Sequence, residues 1–314
     1  MLRFFATRLA QLVLVVLAVT LLCYWMLNLL PGNPCVAAFG GAATEEQIAE
    51  CERDRNLDDP VIVQWAKWGG DVLSGDFGKS YLTGRSFGEA ITTALPRSLL
   101  LLAYSQILAL GAAIPLGLWS GYKQNSLGDK IISGGAFGLL SIPVFVLGLV
   151  LILVFAVRLD WFDLSGYQPI SEGLVAHFRV MFLPSVALAA GLLPVYLRLL
   201  RTDVIGTLRE DFVGTAQAKG LPVRHVLLRH VLRPSSFTLM TIFGIQAAQA
   251  VNGAIVVEFM FDLDGVGSLL VAWVAAREFL LVQTLVAVIA VVFVTVTTIV
   301  DLLYAVLDPR VRRR

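Results

Sequence analysis

Residues 131–157 read IISGGAFGLLSIPVFVLGLVLILVFAV, a run without one ionisable side chain. A hydrocarbon core about 30 Å thick is crossed by roughly 20 helical residues, so this run is long enough to span a bilayer. Residues 9–30, 99–118 and 281–300 repeat the pattern. Of the 314 residues 57% are hydrophobic and 15% charged, with mean hydropathy +0.79, whereas soluble domains carry roughly 25% charge. A cytosolic enzyme is excluded, and the fold class is an all-α polytopic membrane protein.

Six transmembrane helices are expected, near 9–30, 97–121, 131–157, 181–202, 236–260 and 281–306. The fourth contains Pro184, Gly191 and Pro194, which membrane helices tolerate because neighbours re-satisfy the freed backbone groups. An even number of spans puts both termini on one side, and the cytoplasmic bias of Lys and Arg makes that side inner (N-in and C-in). Fifteen of the 24 Lys and Arg then lie inside, including Arg3, Arg8, Lys123, Lys130, Arg198, Arg201 and the terminal arginines. The expected organisation is an N-terminal tail and first span at 1–30, an extracytoplasmic segment at 31–96, and a five-helix core at 97–314 with a cytoplasmic loop at 203–235. The first span exceeds the 7–15 apolar residues of a signal peptide and reads as a retained anchor.

In the outer segment, short helices are expected near 45–55 and 61–73. Val61, Trp65, Trp68 and Val72 form a stripe at helical spacing, suited to the bilayer surface or to a docking protein. Cys23 sits within the first span as a small apolar residue. Cys35 and Cys51 share the outer segment; a bridge there would stabilise it by roughly 3 kcal/mol, and two separate thiols are the alternative. No metal set is formed, since the one outer histidine is His177.

Chemistry is sparse. Gly75-Asp76-Phe77-Gly78-Lys79-Ser80 ends like a phosphate loop, but Leu73 stands where that motif requires its first glycine, so the stretch reads as a turn. The spans hold few acidic groups, Glu258 and Asp301, near opposite faces, and no acidic relay for an ion-coupled carrier. A net charge of +1 gives no footprint for nucleic acid. The energy for any transport must come from outside the chain.

The most informative stretch is Glu210-Asp211-Phe212-Val213-Gly214-Thr215-Ala216-Gln217-Ala218-Lys219-Gly220-Leu221-Pro222, followed by Arg224, His225, Arg229, His230 and Arg233. Acidic residues precede a short Ala-rich helix and Lys219-Gly220 closes it, matching the helix dipole and the glycine C-cap. This is a capped lever with a basic flank, expected over 211–220. On the fifth span, Gln246, Gln249 and Asn252 interrupt an apolar run, with Gln246, Gln249 and Gly253 on one face. They serve either to line a pathway or to bond between helices. Gly117 with Gly121, and Gly134 with Gly138, have the spacing of close helix packing.

The 210–222 loop resembles the coupling motif of ATP-binding-cassette (ABC) importer permeases, and the whole chain resembles the first (B-type) permease subunit of oligopeptide and dipeptide importers. The likeness also rests on Leu30-Pro31-Gly32-Asn33-Pro34, on Gly75 to Gly78 with Ser80, on Ser141-Ile142-Pro143 with Phe145 and Gly148, and on Asp301 to Tyr304 with Leu307 to Arg310. Four positions depart from the family's habit: Gly214 and Gln217 replace arginine, Pro234 asparagine and Asp264 proline. The resemblance implies a type I importer permease in a bacterial cytoplasmic membrane that binds no cofactor itself. It implies a second homologous permease, two ABC ATPase subunits holding ATP and Mg, and an extracytoplasmic peptide-binding protein as partners, besides membrane lipid. It implies coupling to the ATPase through Glu210, Asp211, Phe212, Ala216, Ala218, Lys219 and Gly220. Nickel or another small solute is the alternative cargo.

Overall fold

The computed structural model describes residues 2–29, 33, 35–36, 39, 44–54, 57–80, 83–164 and 166–307; of these, the side chains of 2–6, 8, 27–28 and 300–307 are not described. Most of Leu30 to Pro34, Asp301 to Tyr304 as side chains, and Asp308 to Arg310 with the terminal arginines therefore lie outside the described residues.

The described chain is helical apart from turns and one isolated β-bridge, Lys79 with Ser86. Its helices are α1 (Leu2–Asn28), α2 (Glu45–Asp54), α3 (Val61–Ser74), α4 (Phe87–Tyr122), α5 (Leu127–Ser141), α6 (Val144–Arg158, ending in a π-wound segment), α7 (Leu174–Thr207), α8 (Asp211–Ala218), α9 (Val223–Met260), α10 (Val266–Ala275) and α11 (Phe279–Leu307). Five of them, α1, α4, α7, α9 and α11, are long and apolar enough to cross a membrane, and α5 with α6 makes a sixth crossing if counted as one.

That sixth crossing corrects the straight helix expected at 131–157. The axis turns by 101° between α5 and α6. Pro143 is the cause: it disfavours helical geometry at the preceding residue, and Ile142 is accordingly extended at φ −92°, ψ 121°.

Residues up to Arg97 form one compact unit with Asp264–Thr295. Here Cys35 and Cys51 are joined in a disulfide with Cα atoms 5.9 Å apart. Asn33 adds two bonds, accepting from the Cys35 N–H at 2.9 Å and donating to Glu52 of α2. The α3 stripe faces protein. Trp65 Nε1 donates to Thr20 (3.2 Å), Tyr24 donates to Gln64 (3.0 Å), and Trp68 Nε1 donates to Thr284 of α11 (3.2 Å). Of the expected stripe Trp68 is buried and Val61, Trp65 and Val72 are half-buried, so the stripe packs in part on the chain's own helices. The Gly75–Ser80 turn is structural: Asp76 accepts from the Gly78 N–H, Gly78 sits at φ +84° against Leu280, and buried Ser80 donates to Glu278 at 2.7 Å. Asp264, where a proline was expected by resemblance, adopts φ +47° and pairs with Arg97 at 3.1 Å. A pyrrolidine ring fixes φ near −65°, so this turn is closed to proline.

The second unit comprises Ser98–Leu263 and the chain from Val296. Its centre is α7, the fourth expected span and the most enclosed of the five. Two buried clusters form along it. One joins α7 around Tyr196, Leu200 and Val204 to α4, α5, α8 and α9; the other joins Val180 to Leu188 with Leu101, Ala156, Val257 and Leu263. Pro184 and Pro194 lie inside this continuous helix. Gly117 and Gly121 bring α4 onto α7: a Cβ on Gly121 would lie 2.6 Å from Val204 Cγ1 and 3.2 Å from the Arg201 carbonyl oxygen. Gly134 and Gly138 meet nothing within 4 Å, so only the first of the two glycine pairs mediates packing among the described residues. His177 is wholly buried, its Nδ1 2.6 Å from the Gln168 carbonyl and its Nε2 3.1 Å from the Tyr104 hydroxyl.

Candidate functional site

Helix α8 follows α7 after three residues, and the turn between them is tight, with Arg209 N bonded to the Gly206 carbonyl and Glu210 N to that of Thr207. Glu210 stands at the N-cap, and its carbonyl accepts from Val213 N at 3.0 Å; its side chain makes no capping bond. The acidic contribution there is to the dipole. At the other end Leu221 N bonds the Ala216 carbonyl (3.3 Å) and Gly220 N that of Gln217 (2.9 Å), with Gly220 at φ +74°. That pair of bonds is a Schellman closure, and the left-handed residue within it favours glycine.

Two residues anchor the helix. Val213 and Ala216 are buried in the cluster that holds Leu200, Val204, Val226 and Val231, with Leu208 and Leu221 packed against it. The three-residue spacing of Val213 and Ala216 puts them on one face. Asp211, Phe212, Gln217, Ala218, Lys219 and Gly220 are exposed on the others. Ala216, one of the residues through which the resemblance implies coupling, is 5% exposed and belongs to the protein's own core. Phe212, 47% exposed, is a large apolar side chain held outward on a rigid, short helix. Val223 and Leu228 are also about half exposed, and the rings of His225 and His230 are 5.7 Å apart across the π-wound segment 226–231.

The α9 amides divide. Gln246 is buried, whereas Gln249 and Asn252 are exposed on a stripe with Ile245, Val256 and Phe259. Gly253 lies toward α7, where its Cβ would come within 2.8 Å of Leu188 Cδ1. The single face expected for Gln246, Gln249 and Gly253 is thus corrected: close packing of α9 on α7 takes Gln246 and Gly253 inward and leaves Gln249 with Asn252 accessible. Glu258 is buried near the end of α9. No group of three or more His, Cys, Asp or Glu able to hold a metal occurs among the described residues.

One constellation was missed in the sequence. The Asp129 carboxylate, 3% exposed, accepts two bonds from the Arg201 guanidinium, Nε to Oδ1 and Nη2 to Oδ2, both at 2.7 Å. It also accepts from the Ser120 hydroxyl and from the Asn125 N–H at 2.8 Å. Ser126 caps α5 by accepting from Asp129 N. In the sequence Arg201 counts only as one of the inner positive charges. The signal available was Ser126-x-x-Asp129, an N-terminal capping pattern.

A family model described as binding-protein-dependent transport system inner membrane component matches residues 113–313, and a model for the N-terminal region of such membrane components matches residues 1–101. The chain is 30% identical over 305 residues to a probable peptide ABC transporter permease protein of Sinorhizobium fredii, covering 97% of each. It is 33% identical over 305 residues to the oligopeptide transport system permease protein AppB of Bacillus subtilis, covering 95% of each. It is 32% identical over 312 residues to the glutathione transport system permease protein GsiC of Salmonella paratyphi A, covering 99% of each. With matches along nearly its whole length and a set of membrane-crossing helices to accompany them, the chain belongs to the binding-protein-dependent transport system inner membrane component family, as a multi-pass inner-membrane permease.

Proposed function

We propose that this chain is the first permease subunit of an ABC importer for dipeptides or oligopeptides. It pairs with a second homologous permease, and the pathway runs between them. Each permease engages one ATPase subunit, and an extracytoplasmic binding protein delivers the cargo. ATP and Mg belong to the ATPases. The termini and α8 face the cytoplasm, where Lys and Arg concentrate.

The observation that carries this reading is α8: a doubly anchored, glycine-closed helix that presents Phe212, Gln217, Ala218 and Lys219 outward. Such a helix transmits force from a partner because its inner face cannot shift without disturbing α7. Closure of the ATPases then biases the permease between two states through differential contact with α8. Gln249 and Asn252, accessible on α9, are the residues assigned to the pathway, where their amides replace water around a peptide backbone. Relatives named for peptides and for glutathione support peptide-like cargo over nickel.

The test is reconstitution of this chain with a second permease, two ATPases and a binding protein in vesicles, followed by uptake of labelled peptide. Uptake that requires ATP and the binding protein is expected. Transport by this chain as a homodimer without ATPases, or uptake of nickel with peptide ignored, would overturn the reading.

A further inference from the structure

We infer that Asp129 and Arg201 are positioning residues that form the strut by which displacement of α8 reaches the bent pair α5–α6. The inference rests on α8 being the ATPase-contacting helix. The end of α7 and α8 form one body, since Leu200, Val204, Leu208, Val213 and Ala216 share a cluster and only three residues separate the helices. Arg201 lies in that body. Asp129 lies in the first turn of α5, on the far side of the joint.

Elsewhere α5 touches this body through apolar surface, Ile132 and Ala136, and such contacts allow one helix to slide over another. A bidentate guanidinium–carboxylate pair does not, because two parallel bonds fix direction as well as distance. Asp129 also accepts from Ser120 of α4, from the Asn125 N–H, and from the Ser133 hydroxyl of α5 at 3.3 Å. Asn125 presents that N–H from φ +66°, a conformation asparagine tolerates. The outward face of α5 is unencumbered, with Ile131, Phe137 and Leu140 more than half exposed. Helix α5 is thus gripped at its first turn and interrupted at Ser141-Ile142-Pro143, so a push on Arg201 rotates it about the break. The carboxylate is buried and the guanidinium 24% exposed; an ion pair taken this far out of water is a poor device for stability alone, and its use here is geometric.

The test uses the assembled complex in vesicles and reads peptide transported per ATP hydrolysed, beside co-purification of the ATPases and thermal melting. Arg201→Lys keeps the charge and loses the fork. It is expected to assemble normally while transport per ATP falls about tenfold, within the usual range of coupling between sites. In a Cys23→Ala background, Asp129→Cys with Arg201→Cys removes both charges, so no orphan ion is buried. That variant is expected to be uncoupled until a short thiol-to-thiol cross-linker joins the two positions and restores transport per ATP.

An unchanged ratio in Arg201→Lys, or a loss that tracks only the amount of assembled complex, assigns the pair a merely structural role and overturns the inference. Failure of the cross-link to restore coupling does the same. A Phe212→Glu variant separates the two levels. If it weakens ATPase binding while the strut variants remain coupled, the strut alone falls; if it leaves ATPase binding and transport intact, the reading of α8 falls and the strut with it.

Discussion

Gly121 and Gly134 undergo the same chemical change when replaced by alanine, and the structure assigns them opposite outcomes. At Gly121 the new methyl would lie 2.6 Å from Val204 Cγ1 and 2.9 Å from Val204 Cβ, where carbon atoms settle at about 3.5–4.0 Å. Turning the Val204 side chain relieves the first contact but not the second, because Cβ is fixed to the backbone. Helices α4 and α7 must therefore separate by close to an ångström, and the Arg201 carbonyl at 3.2 Å resists a sideways escape. Overpacking of this kind costs about 1–3 kcal/mol. At Gly134 nothing lies within 4 Å, so that variant retains only the helix-propensity gain of about 1 kcal/mol, which both share. The difference between the two is then the overpacking cost itself. At about 2–4 °C per kcal/mol, Gly121→Ala should melt at least about 2 °C below Gly134→Ala in the same detergent or nanodisc. Equal melting temperatures, or the reverse order, would refute the argument that α4 and α7 meet through this glycine.

Gly220→Val places a β-branched residue at φ +74°, a conformation costing roughly 1–2 kcal/mol for L-residues; hydrogen exchange at the Gly220 and Leu221 amides should accelerate and transport should fall. Ala216→Glu would bury a carboxylate in the cluster around Val213 and Val226, and should lower the yield of folded complex. Ala218→Glu, on the exposed face, should leave melting unchanged while reducing ATPase co-purification. Mass spectrometry of non-reduced peptides should find Cys35 linked to Cys51; opening the bridge in the Cys35→Ser, Cys51→Ser double variant should destabilise the outer segment by about 3 kcal/mol, read as easier proteolysis near α2. Two free thiols in membranes would remove the bridge.

Hydropathy found the crossings because the cost of burying charge in lipid is additive along a segment. It was blind to direction, which is why 131–157 read as one straight helix although Ser141-Ile142-Pro143 bends it. Pro184, Gly191 and Pro194 would weaken α7 as an isolated helix, yet it is the most enclosed of the five, since such residues cost little where neighbours close around them. Amphipathic spacing located the partly buried stripe of α3 without naming its counterpart, and Thr20 and Thr284, distant in sequence, bond its two tryptophans. The α8 boundaries followed from local chemistry, from Glu210 to Gly220. Which alanine faced inward depended on Leu200 and Val204 of α7, information that no local window holds. Asp129 and Arg201 are 72 residues apart, and only the joint between three helices brings them together.

The ring closed by Cys35 and Cys51 also bears on how the chain is delivered to the membrane. On the proposed orientation both sulfurs oxidise only after residues 35–51 have left the cytoplasm. Once they do, the segment from Cys35 to Cys51 is a closed ring that can no longer be drawn back as a single extended strand. Threading up to that moment is reversible; afterwards the sidedness of α1 is recorded in a covalent bond. Oxidation is then expected to act as a ratchet on biogenesis: permease synthesised in cells lacking thiol oxidation should contain a fraction whose N-terminal segment slips back and is degraded before α3 docks.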